Sequence, residues 1–155
     1  MIALKWSKIQ GVSITRDSRP VDPIDQAQRI KLNDLAQALR STHSTLLEIV
    51  KKEYESTNGT INGPFAYFQL VTSDPIFQWL RPLSGMMARL DDLLDNKRDL
   101  RPLDAESVKL EVEQLFEFSE ALEHFSSHFH ARAKLEAEVK LRHSEIEKAL
   151  HSLTD

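Results

Sequence analysis

The stretch Leu103–Asp155, LDAESVKLEVEQLFEFSEALEHFSSHFHARAKLEAEVKLRHSEIEKALHSLTD, contains neither Gly nor Pro. These two residues are the strongest local breakers of regular structure, so their absence over such a length predicts helix. On a wheel of about 100° per residue, Val108, Leu115, Phe118, Phe125, Phe129 and Ala133 gather within about 60° of Leu122. Beyond residue 133 the apolar set becomes Leu135, Val139, Ile146, Leu150 and Leu153, rotated well away from the first stripe. A straight helix over 104–152 would be about 73 Å long, whereas a compact chain of this size is about 40 Å across. Either the helix breaks near residues 130–134, or the bundle is elongated, or the end projects towards a partner. The second apolar set has the spacing of a heptad seam, which predicts self-association through Leu135, Val139, Ile146, Leu150 and Leu153.

Outward from this stretch, Gly and Pro are absent again from Ile24 to Asn58. Between the two uninterrupted stretches lie Gly59, Gly63, Pro64, Pro75, Pro82, Gly85 and Pro102. Asp22-Pro23 reads as an N-cap followed by the first helical position. The helix it opens presents Leu35, Leu39, Leu46, Ile49 and Val50 on one face, with Thr42 among them. A short helix over about residues 64–71 follows the loop at Asn58-Gly59. Ser73-Asp74-Pro75 then opens another, whose apolar face holds Ile76, Trp79, Leu80, Leu83, Met86, Met87, Leu90, Leu93 and Leu94. Pro82 lies inside that pattern and predicts a kink, because its ring meets the carbonyl of Gln78. The expected fold is all-α: an elongated up-down bundle of three long helices over residues 24–155. The middle helix is broken and kinked, and the last is a candidate to split into a fourth. Residues 1–23, with Ile2, Leu4, Trp6, Val12 and Ile14 alternating, read as an N-terminal arm or irregular coat, since two lone strands are marginal.

Composition narrows the chemistry. The 155 residues include no Cys, which excludes a disulfide scaffold, a thiol nucleophile and thiolate zinc sites. Twenty Lys and Arg against 24 Asp and Glu give a net charge of −4, without the basic face that nucleic acid requires. No run of 18 apolar residues exists, so no membrane span is expected. The N-terminus lacks the apolar core of a secretory signal, and a cytoplasmic location is the expectation.

His124 and His128 stand at the i, i+4 spacing that lets two imidazoles share a metal, with Glu113, Glu117 and Glu120 on the same line. On one continuous helix, however, all five lie opposite the Phe stripe, which predicts a solvated face rather than a metal centre. Neither a G-x-S-x-G elbow nor a Gly-rich phosphate loop is present, so no catalytic residue and no cofactor are expected. The densest unusual chemistry is the stretch from Phe65 to Ser84. From Trp79, the wheel places Phe77, Arg81 and Ser84 together on the far side, so an aromatic shares the polar face with an Arg. Phe77, Trp79, Arg81 and Ser84 are therefore the candidate binding residues, because aromatic residues and Arg anchor interfaces.

Around these positions the sequence resembles a family of uncharacterised bacterial helical proteins. Their Asp-Pro-x-Phe-x-Trp-Leu-Arg-Pro-Leu-Ser run matches Asp74, Pro75, Phe77, Trp79, Leu80, Arg81, Pro82, Leu83 and Ser84, and a Leu-Asp pair matches Leu90 and Asp91. The resemblance implies a bacterial source and a helical fold, and brings no activity or ligand. The expected function is a non-catalytic protein-interaction or scaffold bundle that self-associates. The alternative is a bundle holding a small apolar ligand or cofactor near Phe68, Trp79, Met86 and Met87.

Overall fold

A computed structural model describes residues 23–95, 100–119 and 124–154. The arm expected over residues 1–23 lies, up to residue 22, outside the described residues, as does the Asp22 cap. Among the described residues the chain is all-helical. The helices are α1 (Pro23–Asn58), α2 (Gly63–Ser73), α3 (Pro75–Gln78), α4 (Arg81–Asp95), α5 (Pro102–Phe116), α6 (Phe125–Leu135) and α7 (Ala137–Ser152). Only the first of the three expected long helices is a single rod. The other two are each divided into three.

Helix α1 is the spine. It ends where Gly59 takes a φ of +82°, a left-handed conformation that suits glycine, and where the Gly59 amide bonds the carbonyl of Glu55 at 3.1 Å. Leu32, Leu35, Leu39, Leu46 and Val50 are all fully buried along it. Thr42 is buried with them, its hydroxyl donating to the carbonyl of Ala38 at 2.8 Å, so a polar side chain sits in the apolar face without an unmet group.

Side-chain pairs fix the direction of the neighbours. Arg29 bonds the Leu94 carbonyl and His43 meets Ser84, so α4 runs antiparallel to α1. On the other flank, Arg132 pairs with Glu53 and Arg142 with Thr45, so α6 and α7 also run against α1. Arg89 pairs with Glu111 across α4 and α5. The core lies between these rods and joins Leu83, Met86 and Leu90 of α4 to Val108, Val112 and Phe116 of α5 and to Phe125 and Phe129 of α6.

The breaks correct two sequence expectations. Pro82 does not kink a continuous helix: α3 stops at Gln78, Trp79 and Leu80 turn, and Pro82 occupies the first turn of α4. There its missing N–H leaves no bond unmade. The cap at Asp74 is as expected, with its carboxylate accepting from the Ile76 amide at 3.0 Å.

The long C-terminal helix breaks twice. One break falls at Glu136, close to the expected 130–134, and a larger one follows Phe116. Neither uses Gly or Pro: at Glu136 the backbone alone turns, with no side-chain cap, whereas after Phe116 side chains hold the ends. The His124 imidazole accepts from the Ser126 amide at 3.1 Å, the Ser127 hydroxyl donates to the Ser119 carbonyl at 2.6 Å, and His130 Nε2 sits 2.8 Å from the Phe116 carbonyl. These bonds occupy backbone groups that the interrupted helix no longer pairs. Phe118, expected in the apolar stripe, is consequently 65% exposed.

Candidate functional site

The seam residues have a partner within the chain. Val139, Ile146, Leu150 and Leu153 are buried in the common core, packed through α7 against α1. Leu135, at the end of α6, is 84% exposed. The break at Glu136 is what allows this, because it rotates the second apolar set onto the face used by the first. The heptad spacing thus describes an intramolecular contact, and only Leu135 of the five remains at the surface.

The four candidate binding residues part company at the Trp79–Leu80 turn. Phe77 is buried and meets Tyr67 edge-on at 6.1 Å. Trp79 is buried against α6, stacked on His128 at 5.1 Å, tilted on Phe125 at 5.6 Å and covered by the Arg132 guanidinium at 4.5 Å. Arg81 is exposed, and donates to the Thr72 carbonyl at 3.0 Å, near the C-terminal end of α2. Ser84 is exposed and lies 3.0 Å from His43 Nε2. A single wheel from 75 to 95 fails because the turn resets its phase. The shared Phe77–Arg81 face therefore does not exist.

Around Trp79 the chain builds a tight polar contact that sequence reasoning missed. Arg132 donates to Glu53 through Nε at 3.1 Å and Nη2 at 2.8 Å, and through Nη1 to the His128 carbonyl at 3.1 Å. It thereby joins α1, the α3–α4 turn and α6. Pro75, Ile76, Gln78, Trp79, His128 and Arg132 line a cavity of about 320 Å³ beside it. Trp79 Nε1 is buried without an acceptor. The i, i+4 spacing of His128 and Arg132 was visible, but nothing local identified Trp79 and Glu53 as their partners.

His124 and His128 do not form the expected helical pair. His124 is the N-cap of α6, and His128 faces Trp79 instead of solvent. Among the described residues no group of three or more His, Asp or Glu side chains is placed to hold a metal ion. Met86 and Trp79 line separate cavities, and Phe68 is exposed, so the proposed apolar pocket residues are dispersed.

The two other histidine sites are electrostatically distinctive. His43 is half-buried, and burial lowers its pKa. Ser84 carries no catalytic geometry beyond the 3.0 Å contact: its amide is bound to the Leu80 carbonyl, and among the described residues no carboxylate orients the far nitrogen of His43. The pair joins α1 to α4.

His143 stacks on Phe116 at 5.7 Å and meets the edge of His130 at 5.8 Å. Burial lowers its pKa, the Glu147 carboxylate opposes this, and His130 adds to it. For both histidines the folded chain resists a proton that the unfolded chain accepts. Their contribution to stability is therefore complete above the unfolded value of about 6.5 and is lost as pH falls through the lower folded values. Urea midpoints measured from pH 8 to 5 are expected to fall on the acid side, and less steeply in His43→Asn/His143→Asn. Equal slopes in the two proteins would refute the assignment.

Two exposed phenylalanines lie together on α2. Its sequence, GPFAYFQLVTS, contains no charged residue, yet the helix has no buried residue. Phe65 and Phe68 are 74% and 65% exposed, with Gln69 and Thr72 on the same outward side. Tyr67 fastens the inner side, reaching Phe77 and lying under Lys51 Nζ at 5.3 Å. No family model matches the chain, and neither a curated protein nor a solved structure is similar to it.

Proposed function

We propose that this chain is a non-catalytic protein-interaction bundle whose contact element is α2. The observation that carries this reading is the mismatch between the composition of α2 and its burial. An apolar helix is normally covered by its own fold, whereas this one leaves two phenylalanines facing water. The rest of the bundle acts as a scaffold: α1 and α3 hold the inner side of α2, and Arg81 ties the Thr72 carbonyl near its C-terminal end.

A photo-crosslinking residue placed at Phe68, in the full chain in its own host, tests this. It is expected to trap a discrete polypeptide that the same group at exposed Lys140 does not trap. Identical, diffuse labelling from both positions would remove α2 as a docking element.

A further inference from the structure

We propose that His130 and His143 form a proton-operated latch at the corner of α5, α6 and α7, which releases the Phe116 end of α5 when both imidazoles are charged.

The latch is built from three elements. His130 of α6 and His143 of α7 meet edge to face at 5.8 Å, with Phe116 of α5 and Phe129 of α6 packed around them. His130 Nε2 lies 2.8 Å from the Phe116 carbonyl. A carbonyl oxygen only accepts, so Nε2 carries the hydrogen and Nδ1 is the atom that takes up a proton. The bond thus joins the last turn of α5 to α6 only while His130 stays in place.

The charged neighbours decide how many protons the corner holds. Glu147 faces His143, with Oε1 3.5 Å from Nε2. Arg142 is turned away to Thr45, Glu138 and Glu145. By helical spacing Lys140 neighbours His143 and Lys134 neighbours His130. At the end of α5, Glu113 pairs with Lys109 and Glu117 is exposed. Among the described residues no charged group of α1 acts on His143, and no carboxylate pairs with His130. One proton is therefore accommodated at His143, between Glu147 and the face of Phe116. A second is not, because two cationic rings would then stand in contact without a carboxylate between them. His130 is only half-buried and relieves the repulsion by turning to water. The Phe116 carbonyl then loses its side-chain partner and the last turn of α5 loosens. Burial and the neighbouring His130 hold the pKa of His143 down, against Glu147. The latch is accordingly closed near neutral pH and opens as pH falls below about 6.5.

Proton NMR of the imidazole resonances in the full chain, from about pH 8 to about pH 5, tests the coupling. The pair is expected to titrate in two steps about one pH unit apart. In His143→Gln the single His130 step is expected about half a unit or more above the lower wild-type step. The absence of Cys allows spin labels at Gln114→Cys and Ser144→Cys alone, both exposed positions, on α5 and α7. Their separation is expected to lengthen below the lower step while the helical circular dichroism is kept. The same labels in His130→Gln/His143→Gln are expected to hold one distance throughout. The wild-type titration and distance need no histidine variant, so they test the latch even if the variants fold poorly. Coincident, independent titration of the two imidazoles overturns the proposal, as does a wild-type distance that stays constant across both steps. Lengthening that persists without the two histidines, or that comes with loss of the helix signal, overturns it as well.

Discussion

Ending the chain after Lys134 is expected to abolish cooperative folding. The residues removed include Val139, Ile146, Leu150 and Leu153, all in the common core against α1. Each large aliphatic side chain contributes about 1.5–3 kcal/mol by burial, so the four together supply about 6–12 kcal/mol. A domain of ordinary stability has about 5–15 kcal/mol in total. The losses also extend beyond area, because Arg142 would no longer meet Thr45 and the face of α1 beneath α7 would be open to water. Thermal unfolding followed by circular dichroism checks this: a sigmoidal transition with the full-length midpoint would show that α7 is an appendage. The same truncation would be harmless if the heptad seam served only a second chain. Its outcome therefore separates an internal seam from an external one.

Phe129→Ala is the point substitution with the largest expected effect. The ring is fully buried and touches Phe116, Phe125, His130 and His143, with centroid distances of 5.0 to 5.8 Å. Its removal leaves a cavity at the corner where α5, α6 and α7 meet, and such losses cost about 3–5 kcal/mol. Leu135→Ala, six residues away on the same helix, is expected to change stability by less than about 0.5 kcal/mol, because Leu135 is already in water. Urea unfolding of both variants reads the contrast directly. Comparable losses at the two sites would mean that the corner is not packed as described.

The all-helical class and the first helix were legible because their signals are local. An uninterrupted stretch from Ile24 to Asn58 and a glycine at its end are properties of neighbouring residues. The Asp74-Pro75 start was legible for the same reason. The break after Phe116 was not, because it depends on His124 capping α6 and on Ser127 and His130 reaching the carbonyls of Ser119 and Phe116. None of these residue types marks a helix end by itself. The rotation of the apolar stripe past residue 133 did carry the second break, at Glu136, but the wheel does not tell whether a rotated stripe meets another chain or the same one. At the site, a single wheel placed Phe77 beside Arg81, and a two-residue turn undid it. Arg132 escaped notice because its partners Glu53 and Trp79 are remote in sequence. The exposure of α2 was hidden by the usual rule that aromatic residues belong inside.

The position of α1 between α4 and α7 has a consequence for how the chain is made. Thr45 meets Glu138 and Arg142, partners 93 and 97 residues later, and Glu53 meets Arg132 after 79 residues. During synthesis the flank of the spine that α6 and α7 cover therefore emerges before either of them. At about 5–20 residues per second, several seconds pass before α7 leaves the ribosome. Throughout that interval the longest helix of the protein is a nascent amphipathic segment of the kind that chaperones bind.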